Sequence, residues 1–410
     1  MTMPMSTPTE LPAGVELPGG QCKVTICNTV AEVCDAAYGE RLRAGVLTGS
    51  LARNEGTFLR NGPGWSLPGD AEFILIFRDA QRLPGEREIT DLQSAIERQL
   101  LTCGVECPIS LGAAHGQYLR KLEPRIFSFE LRACGEVIWG EPGILNLIPS
   151  FPPSAIPLED AWRLLCNRIV EQCGAALDYS DQSSCLSPRM QYATVKLYLD
   201  MATSLLVFAG AYAPTYRGRE LRLAELAESR RDVRPWPFDL SDFSRRVSLC
   251  TTWKLTSRIP PAEVTFQLWC DAVEFARRLW LWETAALTGS SANLPVTELC
   301  RACNGTQHFG KRVRGWLYVL RRQGWWHSWR HWPRWMRQST QGSPRRLVYS
   351  AACELLFQLP GILSKRAGTL TTASDLESRL PIIPQSGRNL RSVASNIVWN
   401  YQKFLTGTSS

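Results

Sequence analysis

The stretches VLTGSLARNEG at 46–56 and GDAEFILIF at 69–77 decide how the first third of this chain folds. The run from Ala71 to Phe77 is too short and too apolar for a free-standing helix, so it reads as a central strand covered on both faces. Side chains alternate along a strand, which places Asp70, Glu72, Ile74 and Ile76 on one face and Ala71, Phe73, Leu75 and Phe77 on the other. Upstream, Val46 to Thr48 predicts a short strand, and Gly49-Ser50 opens a short helix reaching Phe58. Asn61 to Gly69 holds Gly62, Pro63, Gly64, Pro68 and Gly69 and reads as loop.

Working outward, Thr29 and Glu32 have capping-box spacing, and Val30, Val33, Cys34, Ala37 and Leu42 recur at helical spacing until Gly45. A further helix is expected from Glu88 to Leu101. Arg125 to Arg132 alternates as a strand, and Cys134-Gly135-Glu136 turns it into another, Val137 to Trp139. The proline-rich stretch 148–157 reads as a linker. Helical periodicity follows from Leu158 to Gly289 and is clearest between Met190 and Ala209. The expectation is an α+β chain: a mixed sheet with flanking helices over 22–150, a mostly α-helical domain over 155–289, and a basic helical region over 290–410.

At 410 residues and 44% hydrophobic, the composition excludes a disordered or fibrous chain and suits two or three domains. The first twenty residues hold neither Lys nor Arg nor an apolar run, and no long apolar segment follows, so neither a signal peptide nor a membrane span is expected. The 14 cysteines are scattered without a repeating spacing, which suits a reducing cytoplasm. Cys300, Cys303 and His308 resemble half a zinc site, and buried thiols are the plainer reading.

The candidate chemistry lies on the strand that begins at Asp70. Asp70 and Glu72 point the same way, and two like charges held a few Å apart call for a cation between them. Glu130, on the expected strand 125–132, is the natural third acid. Three carboxylates from neighbouring strands suit two magnesium ions and in-line displacement at phosphorus. Gly49 and Ser50 complete the set, because a glycine lets backbone approach a triphosphate and the helix start offers free N–H groups.

These residues resemble the polymerase-beta-type nucleotidyltransferase superfamily, on VLTGSLARNEG, GDAEFILIF and FSFELRACGEVIWGE, over about residues 28 to 145. The Asp-x-Glu pair is nearest in pattern to the bacterial small-molecule nucleotidyltransferases. The resemblance implies transfer of a nucleotidyl group from a nucleoside triphosphate to a hydroxyl of a small molecule or glycan. It assigns phosphate contacts to Gly49 and Ser50, two Mg2+ ions to Asp70, Glu72 and Glu130, and metal binding or general-base work to Glu130. Arg53, one turn into the Gly-Ser helix, could reach a phosphate. Lys196 could neutralise the triphosphate or pair with Asp200 along its own helix. Two other readings stand beside this one: a catalytically inactive module that keeps the fold to hold a nucleotide, and a toxin-antitoxin-type enzyme acting on RNA or protein.

Between Glu298 and Glu354 there is no acid, while eleven Lys and Arg and six of the 15 Trp fall in that interval. A basic helix with tryptophans suits docking at an anionic surface, the inner membrane face ahead of nucleic acid; Trp rings packed into the helical domain are the alternative. Arg322 and His327 also have the spacing of HEPN ribonucleases. Sequence names neither the acceptor nor the oligomeric state.

Overall fold

The computed structural model describes residues 18–179, 186–229, 235–257, 263–323, 329–364, 373–384 and 389–405. The chain is α+β and divides into two compact units. The first comprises the described residues up to Leu122 with Glu130–Pro149, and the second Glu123–Phe129 with the described residues from Ser150 onward.

A four-stranded mixed sheet organises the first unit. Its strands are β1 (Leu42–Thr48), β4 (Ala71–Phe77), β6 (Ile109–His115) and β7 (Glu136–Gly140), in the order β6-β4-β1-β7. β1 runs antiparallel to both β4 and β7, whereas β4 and β6 are parallel. The expected alternation on β4 holds. Ala71, Phe73, Leu75 and Phe77 share a core with Ile26, Val30 and Cys34 of α1 (Pro18–Tyr38) and Ile96 and Leu100 of α3 (Glu86–Thr102). Ile74 and Ile76 join Leu131, Ile144 and Ile148 on the opposite face.

Several expectations are corrected here. Thr29 is no cap; it is buried in the middle of α1, which starts at Pro18 and ends at Tyr38, ahead of Gly45. Gly45 lies instead within β1, where a Cβ would fall 2.1 Å from the Trp139 ring, so the absence of a side chain admits the indole. The helix opened by Gly49 is a single turn, α2 (Gly49–Ala52). The expected loop instead holds β3 (Gly64–Ser66), which forms an antiparallel hairpin with β2 (Leu59–Asn61) extended by β5 (Val105–Glu106). Residues 125–132 do not form a strand: α5 (Ile126–Cys134) follows the one-turn α4 (Gly116–Arg120). Ser128 Oγ accepts from Arg125 N at 3.0 Å and Asp160 Oδ2 accepts from Ile126 N at 2.9 Å, satisfying donors that a helix start leaves open.

The second unit is helical. Its centre is α6 (Leu158–Ala175) against α7 (Pro188–Ala209), with α8 (Tyr216–Glu228), α9 (Leu240–Leu255) and α10 (Phe266–Thr288) around them. The described residues from 290 onward fall in this same compact unit. α11 (Val296–Gly305), α12 (Phe309–Gln323), α13 (Trp332–Gln341), α14 (Pro344–Leu356), α15 (Leu359–Leu363), α16 (Ala373–Arg379) and α17 (Leu390–Leu405) belong to this unit, and Leu299, Val348, Leu376 and Ile397 share its main core.

Cys166, Cys173, Cys300, Cys303 and Cys353 lie in that core as free thiols, and burial pushes Cys173 and Cys303 up to about 12. In the first unit burial does the same to Cys34 and Cys107, while Cys103 is exposed. No helix among the described residues is long and apolar enough to cross a membrane.

Candidate active site

Thr48, the last residue of β1, pairs with Glu72 across the antiparallel ladder. The next residue, Gly49, has φ +70°, a conformation that strains any L side chain. A Cβ at Gly49 would also stand 3.0 Å from Glu72 Oε2 and 3.3 Å from Oε1. The glycine is therefore required twice, for its backbone and for the carboxylate lying against it. Ser50 is half-buried at the start of α2. Asp70 is exposed just ahead of β4, close enough to Cys107 to add to the burial that raises that thiol. Gly49, Ser50 and Glu72 are thus brought together, with Asp70 at the entrance of the same strand.

Glu130 is placed otherwise. As a residue of α5 it turns one carboxylate oxygen to Arg53 Nη1 at 2.5 Å, while Arg53 Nε donates to Glu55 Oε2 at 2.8 Å. The Arg53 and Glu55 side chains are only 6% and 5% exposed, and Glu130 17%. Arg53 at the C-cap of α2 is thus clamped between two acids, and Glu130 is tied to the turn that carries Gly49 and Ser50. The sequence reading missed Glu55, whose position two residues from an arginine gave no sign of burial. It also missed β6, the later strand beside β4, which sets Ser110 rather than an acid opposite Glu72.

Among the described residues, no group of three or more His, Cys, Asp and Glu side chains is gathered to hold a metal. That applies to Asp70, Glu72 and Glu130, and to Cys300, Cys303 and His308. Cys300 and Cys303 are buried thiols on α11, and His308 is exposed with Nδ1 accepting from Gly310 N. Asp70 and Glu72 alone are hard oxygen donors of the kind that hold magnesium, which completes its shell with phosphate and water oxygens.

Lys196 belongs to the second unit, where its ammonium lies 5.7 Å from the Tyr192 ring. Asp200 accepts from Arg168 Nε at 2.7 Å. In the basic segment, Trp316 and Trp335 are buried and donate to the Gly342 and Pro381 carbonyls, whereas Trp329 and Trp332 are exposed. Trp325, Trp326 and His327 lie outside the described residues. No protein-family model matches the sequence, and no curated protein matches it.

Proposed function

We propose that the first unit binds a nucleoside triphosphate at Gly49-Ser50 and transfers its nucleotidyl group to a hydroxyl of a small molecule or glycan. The observation that carries this reading is the Glu72 carboxylate lying against Gly49, which sets an acid beside the backbone that would take a phosphate. Asp70 and Glu72 are the residues that would hold magnesium, and a bound magnesium ion would neutralise triphosphate charge. Ser50 offers a hydroxyl and α2 its first N–H groups to phosphate oxygens. Arg53, paired with Glu55 and Glu130, holds the turn in place.

A second reading is favoured by two observations. Glu130 is committed to Arg53, and Ser110 occupies the place on β6 opposite Glu72, so two acids rather than three serve the site. In that case the unit holds a nucleotide without transferring it.

The test is incubation with each nucleoside triphosphate, magnesium and a cell extract, with labelled acceptor and released pyrophosphate as readouts. Asp70→Asn and Glu72→Gln should each reduce labelling by about a thousandfold, the scale of removing a group that stabilises transition-state charge. Triphosphate binding without labelling selects the second reading. No triphosphate binding defeats both.

A further inference from the structure

The second unit holds an open pocket of about 1130 Å³ between α11, α13 and α16, with charged side chains in its walls. Five arginines line it, Arg301, Arg312, Arg334, Arg337 and Arg379, against two carboxylates, Asp375 and Glu377. Asp375 is neutralised, and Glu377 keeps its charge. Asp375 takes Arg379 at 2.9 Å, and Glu377 accepts from the Asn396 amide at 3.1 Å. Arg379 also pairs with Glu354, so it is neutralised within the wall.

The other four arginines make no salt bridge among the described residues. Arg334 donates instead to the backbone carbonyls of Glu377, Ser378 and Leu380. Arg312 donates to the carbonyls of Asn304 and Thr340, and its Nε is buried with no protein partner. A carbonyl dipole positions a guanidinium without cancelling its charge. Burial lowers the Arg334 pKa from its ordinary value against an opposing pull from the Glu377 carboxylate, the mark of a cation desolvated without full compensation.

We infer that this cavity binds a phosphate-bearing small molecule through the guanidinium groups of Arg301, Arg312, Arg334 and Arg337. Guanidinium forks match phosphate oxygens two at a time, and four arginines in excess over the Glu377 carboxylate suit a multiply charged anion better than a single carboxylate ligand. The volume leaves room for an organic body beside the phosphate, and Asn304, Gln338 and Ser350 supply neutral polar contacts for it.

The test is calorimetric titration of the full chain with inorganic tripolyphosphate in EDTA, which withholds the divalent ion that the first unit's site requires. Arg301 and Arg337 are exposed and hold no structural bond, so the double variant Arg301→Gln, Arg337→Gln should fold normally. Its affinity should fall at least about tenfold, and wild-type binding should weaken as salt is added. An unmeasurable wild-type affinity at low salt would overturn the proposal. So would equal affinity in the double variant. Binding of a single-stranded oligonucleotide that tripolyphosphate fails to displace would also overturn it, making the face a nucleic-acid surface.

Discussion

The arginine in the first unit's turn and those around the second unit's cavity are the same side chain put to opposite uses. Arg53 sits between Glu55 and Glu130, two acids to one cation, and the cluster is almost wholly buried. Arg334 is held just as firmly, but by three peptide carbonyls, and Arg312 by two. Positioning and neutralisation are separable, and the partner decides which of them an arginine receives. Acids spend the charge on the fold, whereas carbonyls leave it for a ligand.

The largest test of that contrast is a buried ionisable group with neither kind of partner. Glu283 of α10 is fully buried with no cation beside it, and burial pushes its carboxyl up to about 8, opposed only by the nearby Ser204 hydroxyl. Here the fold is expected to discharge the group. Because the folded pKa is raised, the native state holds a proton that the unfolded chain has released between about pH 4.5 and 8. Stability should be fully present below that window and fall as pH rises through it, by on the order of 4–5 kcal/mol. Glu283→Gln should flatten the profile in urea unfolding followed across pH; an unchanged slope would show that the carboxyl is not the cause.

Breaking the other side of the comparison comes next. Arg53→Met leaves two acids buried without their cation and should cost about 3–5 kcal/mol in denaturant unfolding. Arg53→Lys keeps the charge but loses the two-armed geometry, and should recover only part of that loss. A fully stable Arg53→Met protein would mean that Glu55 and Glu130 find other partners.

The smallest effect belongs to the cavity. In the Arg301→Gln, Arg337→Gln variant, stability should stay within about 0.5 kcal/mol of wild type per site, since neither side chain makes a salt bridge. Thermal unfolding by circular dichroism checks this. A larger loss would place those arginines with Arg53, as parts of the fold.

How far the sequence disclosed these features depends on the range of the interactions that create them. β4 was legible because a strand covered on both faces needs an apolar run, and AEFILIF is one. The Gly49 to Glu72 meeting was legible in outline, since a glycine ending one strand and an acid on the next need only pair the strands. α5 was not. Phe127, Phe129 and Leu131 satisfy a period of two, while Ser128 and Leu131 satisfy a helical turn, and the tie is broken by Asp160, 34 positions away from Ile126. The role of Arg53 was hidden for the same reason, because Glu130 lies 77 positions from it. β6 escaped notice because Gly112, Ala113 and Ala114 carry no β-branched signal and take their place from backbone pairing with β4.

The buried thiols have a kinetic consequence. Only the thiolate attacks an alkylating reagent, and burial both shields the sulfur and keeps it protonated. Cys103, on the surface of the first unit, is therefore open to reagent in the native protein, whereas Cys173 and Cys303 become reactive only when the helical core opens around them. The rate at which they are capped counts those openings, so the chain carries its own clock for fluctuations of the helical unit, with Cys103 marking zero time.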